Sequence, residues 1–133
     1  KNNPRRAIIT LWNPSDLKEQ ALPCCYTQLN FVRSNNKLNL VMHFRSSDLF
    51  LGLPYDIIFG TLFLIEISKQ CNLIPSQLGL NLADAHIYKN HIDQVNLYLE
   101  SDTYKLPQLK GDYNNYYLHN YKSNKLIKAP LAI

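Results

Sequence analysis

The sequence predicts a single domain in which strands and helices are mixed, and three observations carry that reading. Two alternating stretches, CCYTQLNFV and LNLVMHF, flank the turn sequence SNNK, the pattern of an antiparallel hairpin. A long apolar run, IIFGTLFLIEI, follows with the length and composition of a buried helix. A strand-like stretch, LGLNL, comes after it. The 133 residues suffice for one domain with a core. With 46% hydrophobic and 18% charged residues the chain has a globular balance, not that of a disordered segment.

Taken in order, Asn2 to Pro4 is a turn-like lead, and Arg5 to Trp12 reads as a strand with β-branched residues at its centre. Arg5 and Arg6 at its start have two readings. They are surface charge, or a phosphate clamp, since a guanidinium fork matches oxyanions. Asn13 to Leu22 reads as a turn and a short helix that Pro23 stops. Cys24 and Cys25 open the next strand. Its alternation sets Tyr26, Gln28 and Asn30 on one side and Thr27, Leu29 and Phe31 on the other. Ser34 to Lys37 turns, and Leu38 to Arg45 returns. The hairpin therefore brings Cys25 and Arg45 to the same end.

Leu53 to Asn72 predicts a helix of about five turns at 3.6 residues per turn, apolar on nearly all faces and so central to the fold. Pro54 suits its first turn, where a missing N–H costs nothing. Leu78 to Leu82 reads as a strand continuing to Tyr88, which sets Asp84, His86 and Tyr88 on one face, either structural or ligand-binding. Lys89 to Glu100 fits a helix with the stripe Ile92, Val95 and Leu99. Ser101 to Tyr121 is rich in Asn and Tyr, and the tail KLIKAPLAI ends apolar, as a docked terminus does.

The net charge of +4 suits an anionic small ligand. No arginine-rich run or aromatic-basic repeat points to nucleic acid. The apolar run Ile57 to Ile67 falls short of the ~20 residues that span a bilayer, so no membrane partner is expected. Cys24, Cys25 and Cys71 are an odd set with two adjacent, which argues against a disulfide framework and for a reducing, cytoplasmic setting. Neither zinc spacing nor HExxH occurs, and His86 and His91 alone make a poor metal site, so no metal is expected. The chain starts with Lys and enters a strand at once, so a longer parent protein is expected.

The densest chemistry lies in HFRSSDLFLGLPYD, His43 to Asp56. Arg45, Ser46, Asp48 and Asp56 sit there between a strand end and a helix start, a loop held by rigid elements. A cysteine at a strand start is most often a small buried residue. It becomes a nucleophile where a cation favours its thiolate, and Arg45 is the candidate cation for Cys25.

Together RRAIITLWNPSDL, ALPCC, RSSDLFLGLPYD, ADAHIYKNHIDQ and IKAPLAI resemble the thymidylate synthase family over nearly the whole sequence. The resemblance is to that family's second half. The first half, with a phosphate-binding arginine, a catalytic glutamate and further cofactor contacts, has no counterpart in these residues. What the resemblance implies is an α+β fold, a mixed sheet backed by helices, over one domain spanning 1–133, with sheets stacked in a homodimer. It implies Cys25 as nucleophile, with Arg45 and Asp48 also catalytic. Arg5 and Arg6 would reach across the dimer to the phosphate of a pyrimidine deoxynucleoside monophosphate, which Arg45 and Ser46 hold from within the subunit. His86 and Tyr88 would contact the deoxyribose. The cofactor implied is 5,10-methylenetetrahydrofolate, with Asp48 on its pterin, Leu51, Gly52 and Tyr55 lining its pocket, and Ala132 and Ile133 closing over it.

Two positions depart from the family pattern. Tyr26 stands where a His usually follows the nucleophile, and Asp56 stands where an Asn reads the base. An amide offers a donor to uracil O4 and an acceptor to N3–H. A carboxylate offers two acceptors, which cytosine satisfies if either Asp56 or N3 is protonated. Viral relatives acting on dCMP show the same change, so dCMP is favoured, to a methyl or hydroxymethyl product. The alternatives are an ordinary thymidylate synthase whose Asp56 burial keeps protonated, and a truncated nucleotide-binding or structural subunit without turnover.

Overall fold

The computed structural model describes residues 6–131. They form two compact units that divide between His86 and Ile87.

The first unit is built on a four-stranded mixed sheet. Its strands are β1 (Ile8–Thr10), β2 (Tyr26–Ser34), β3 (Lys37–Phe44) and, after a helix, β5 (Ile74–Leu82). The order is β1-β2-β3-β5, antiparallel except for the parallel pair β3–β5. Between them come β4 (Ser47–Asp48) and helix α1 (Gly52–Gln70). A parallel neighbour requires a crossover, and α1 supplies it. This is the α+β architecture, a mixed sheet backed by helix, that the sequence predicts.

The hairpin forms where expected, with Ser34 paired to Lys37. Asn35 takes φ 56°, a left-handed conformation that asparagine tolerates. The predicted alternation of β2 holds only beyond Thr27. A bulge between Tyr26 and Gln28 shifts the register, so Tyr26 pairs with Phe44 and faces the core beside Leu29 and Phe31. An extra residue in one strand reverses the parity of everything before it. Gln28 and Asn30 keep to the opposite face, where Gln28 donates to Asn30.

The core gathers on the α1 side of the sheet: Leu29, Leu38, Leu40, Met42, Phe44 and Leu64 are buried. Helix α1 buries only the stripe Gly60, Leu64 and Ser68, and Ile57, Ile58 and Phe59 are exposed among the described residues. An all-round buried helix is thus corrected to one seated on a single face. Gly60 sets its distance from the sheet. A Cβ there would lie 2.5 Å from Met42 Sδ and 3.1 Å from Leu78 Cδ1. Ser68 Oγ donates to Leu64 O at 2.6 Å, so the buried hydroxyl is paired within the helix. Asn72, at φ 53°, ends the helix in the left-handed conformation usual after a C-cap.

Three sequence expectations need shortening. The predicted strand from Arg5 to Trp12 is β1 alone, and the predicted helix after Asn13 is a single 3-10 turn, Pro14–Asp16, capped by Asn13. The strand ending at Tyr88 breaks after Leu82. Asp84 lies in a bend, and Ala85–His86 forms β6, paired in parallel with β4. Asp84, His86 and Tyr88 therefore share no strand face.

In the second unit a 3-10 turn, Lys89–His91, precedes α2 (Ile92–Leu99). The expected stripe of α2 is not buried: Ile92 and Leu99 are exposed and Val95 is half-buried. His91 is instead the fully buried residue, its Nε2 donating to Pro130 O at 2.7 Å. The Asn/Tyr-rich segment contains a small hairpin, β7 (Gln108–Lys110) and β8 (Tyr117–His119). Gly111 turns it at φ 96°, where an added Cβ would lie 2.1 Å from Asn115 O; glycine alone fits that close approach. No helix among the described residues is long and apolar enough to cross a membrane.

Candidate active site

Antiparallel pairing brings the start of β2 against the end of β3. Arg45 N donates to Cys25 O at 2.9 Å. The Arg45 side chain reaches back along the segment before β2, with Nε donating to Cys24 O at 3.0 Å and Nη2 to Pro23 O at 2.7 Å. Its guanidinium carbon lies 5.8 Å from the Trp12 ring centroid, a cation–π contact. Arg45 thus ties three segments together at one end of the sheet. Two of its five N–H donors are spent on carbonyls; the fork can offer the others to an anion.

The next residues turn the chain towards α1. Ser46 Oγ donates to Asp84 Oδ2 at 3.4 Å, and His86 Nδ1 lies 3.4 Å from the same oxygen. Asp84 thereby links Ser46 to His86 across the β4–β6 pair. Asp48 Oδ1 accepts from Phe50 N at 3.0 Å, an Asx turn that fixes its carboxylate and leaves Oδ2 for another donor. Gly52 starts α1 close beneath it: a Cβ at Gly52 would stand 3.5 Å from Asp48 Cβ. Leu51 is half-buried at the helix start, and Tyr55 is 75% exposed.

Asp56 lies in the second turn of α1, half-buried. Burial alone pushes its carboxyl above the ordinary aspartate value. Tyr26 stands nearby. Its ring centroid is 5.7 Å from Phe44, edge-on, and 5.7 Å from Phe59, stacked. Burial raises the Tyr26 phenol most, followed by the charges of Cys24, Asp56 and Cys25.

The first unit therefore assembles Cys25, Arg45, Ser46, Asp48, Leu51, Gly52, Tyr55, Asp56 and His86 on adjoining elements at one end of its sheet. Arg6 is not among them. It is exposed and precedes Ala7, whose carbonyl accepts from Phe31 N, towards the hairpin end. Tyr88 belongs to the second unit, at the N-cap of the 3-10 turn, with its ring 5.7 Å from His91. Arg5, Ala132 and Ile133 lie outside the described residues. The sequence marks Tyr26 as a departure from the family pattern but sets it on the side of Gln28 and Asn30; the bulge that turns it inward leaves no mark in the alternation.

A model of the thymidylate synthase family matches residues 1–133. The chain belongs to the thymidylate synthase family. It is 35% identical over 144 residues to a thymidylate synthase of Staphylococcus haemolyticus (strain JCSC1435), covering 100% of this chain and 45% of that protein. It is 38% identical over 141 residues to a thymidylate synthase of Aster yellows witches'-broom phytoplasma (strain AYWB), covering 98% of this chain and 49% of that protein. The crystal structure of thymidylate synthase from T4 phage superposes with a TM-score of 0.87 at 33% identity, over 98% of this chain and 54% of the other. The chain spans about half the length of the curated relatives it matches.

Proposed function

We propose that the protein acts in folate-dependent one-carbon transfer to C5 of a pyrimidine 2′-deoxynucleoside monophosphate, with dCMP favoured over dUMP. The observation that carries the base assignment is Asp56, an acidic group on the first turns of α1, buried enough for its proton to be held more tightly than usual. Cytosine N3 is basic, so a single proton can bridge it to Asp56 whichever group carries it, while the other Asp56 oxygen accepts from N4. The ionised form of that pair is charge-assisted and strong. Uracil O4 is far less basic and meets a carboxylate as acceptor against acceptor. The competing reading is dUMP. A neutral carboxyl imitates an amide, giving its O–H to O4 and its carbonyl to N3–H, and the same burial of Asp56 favours it.

In this reading the Cys25 thiolate forms a bond to C6, and the C5–C6 π pair moves onto C5 and the C4 substituent. C5 would then bond the one-carbon unit and lose its proton as that carbon's bond to the folate nitrogen breaks; a hydride for a methyl product, or a water oxygen for a hydroxymethyl product, would complete the carbon, and the sulfur leaves as the ring double bond re-forms. The folate supplies one carbon, and a hydride where the product is a methyl group. Asp48 Oδ2 suits a pterin N–H, with Leu51, Gly52 and Tyr55 beside it. Arg45 and Ser46 hold the phosphate, and His86 and Tyr88 the sugar. Arg5 and Arg6 act from a second copy in a homodimer, and Ala132 with Ile133 closes over the folate. The polar sheet face bearing Gln28, Asn30, His43 and Asn81, opposite α1, is the surface offered for that dimer.

Release of tritium from C5-labelled dCMP and dUMP tests the reading. Faster release from dCMP is expected, and faster release from dUMP refutes the base assignment. Cys25→Ser and Cys24→Ser, assayed separately, identify the nucleophile by which one abolishes release.

A further inference from the structure

Burial of Asp56 has an identifiable source. Phe59 follows Asp56 by three residues, so the two side chains share one face of α1. Phe59 stacks on Tyr26 at 5.7 Å and on Phe63 at 5.6 Å, while Phe44 closes the other side of Tyr26 edge-on. Tyr26 joins this ladder only because the bulge before Gln28 turns it to the α1 side of the sheet. An aromatic ladder therefore runs along the face of α1 that carries Asp56, reaching Tyr26 at the head of β2 just after Cys24 and Cys25.

We propose that Tyr26 is a positioning residue for base recognition: stacked on Phe59 beside the first turns of α1, it shields Asp56 from water and so favours the protonated carboxyl at the base contact. The inference rests on the reading that Asp56 contacts the base, and it holds for either base, since both complexes carry one proton at that contact. The burial of Asp56 and the response of the Tyr26 phenol to the Asp56 charge agree with it. The elements packed around α1 bring other ionisable groups: Cys24 and Cys25 before β2, Arg33 on β2, Lys37 and His43 on β3 with Arg45 after it, Asp48 in β4, His86 in β6, and Tyr55, Glu66 and Lys69 on α1 itself. The segment forming β5 carries none. Asp56 alone among the carboxyls near the start of α1 stands by the aromatic ladder.

The consequence has a sign. If binding needs one proton at the contact, affinity falls about tenfold per pH unit above the Asp56 pKa; below it affinity for dUMP is constant, and affinity for dCMP falls again only where free cytosine N3 is protonated. Removing the aromatic wall lowers that pKa and moves the falling limb down. The test is calorimetric binding of dCMP and dUMP to the intact protein across pH, with Tyr26→Gln, Tyr26→Phe and Asp56→Asn beside the unsubstituted chain. The nucleotide phosphate's own proton step is common to all four and cancels. Tyr26→Gln should move the limb down by about one pH unit, the order that hydration of a half-buried acid gives. Tyr26→Phe keeps the ring and should leave the limb in place or raise it. Asp56→Asn cannot titrate and should lose the limb.

A limb that survives Asp56→Asn overturns the base reading, and this inference with it. A limb lost in Asp56→Asn but unmoved in Tyr26→Gln, with affinity merely lowered at every pH, overturns the inference alone. If Tyr26→Gln does not fold, Phe59→Ala, at a partly exposed position, opens the same stack from the helix side: a limb displaced downwards supports the wall, and one that stays refutes it.

Discussion

The two halves of α1 look alike in sequence and differ in what they do. From Gly60 to Ser68 every fourth residue is buried against β3 and β5. From Gly52 to Phe59 no residue is fully buried, and the helix faces Asp48, Tyr26 and the head of β2. The later half holds the fold together by close packing. In the proposed reading the first half uses the fold as a rigid mount for Asp56. Apolar residues are at least as frequent in the first half as in the later one, so hydrophobicity alone cannot tell a packing surface from an exposed one.

The comparison can be broken by substitutions that should separate stability from chemistry. The largest effect is expected at the head of β2. Cys25→Ser should cut C5 tritium release by on the order of 10⁴ or more, as losing a catalytic nucleophile does, with the thermal melt unchanged. If Cys24→Ser alone does so, the nucleophile assignment moves by one residue. Arg45→Ala removes the charge-assisted phosphate contact proposed above and frees the Pro23 and Cys24 carbonyls; nucleotide affinity should fall by about 1.5–3 kcal/mol, read by calorimetry.

In the later half of α1, Gly60→Ala should lower unfolding free energy by about 1–3 kcal/mol, because Met42 and Leu78 leave no room for a Cβ. The dCMP-to-dUMP ratio should not move. A changed ratio would mean that the two halves are not independent.

Asp56 predicts the reverse. Its folded-state pKa is raised, so its contribution to stability is full below the unfolded value and is lost as pH rises through the folded value. At pH 8, Asp56→Asn should therefore unfold at the same or a higher denaturant concentration than the parent chain. The smallest effect is expected for Tyr55→Ala. Since Tyr55 is 75% exposed, stability should stay within about 0.5 kcal/mol, while the folate KM rises.

Much of this was legible in the sequence because strand pairing leaves few choices. Once SNNK is a turn, Cys25 and Arg45 must meet, and they do. The helix between two parallel strands was legible from its apolar length. The bulge at the head of β2 was not, because it changes which side Tyr26 faces without changing any residue type. Nor was the break after Leu82. Asp84 and His86 keep strand-like spacing, but β6 pairs with β4, outside the main sheet. The buried His91 is a polar side chain held by a carbonyl 39 residues away, a pairing that no local pattern announces. The hairpin of β7 and β8 hides in an Asn/Tyr-rich segment whose turn depends on one glycine.

The base assignment is tested most directly by C5 tritium release from dCMP and dUMP, measured side by side for the unsubstituted protein and Asp56→Asn. The expected result is preference for dCMP that Asp56→Asn shifts towards dUMP by about 10- to 100-fold, the scale of one buried polar mismatch. Preference for dUMP in the unsubstituted protein, or a ratio that Asp56→Asn leaves unmoved, would contradict Asp56 as the residue that reads the base.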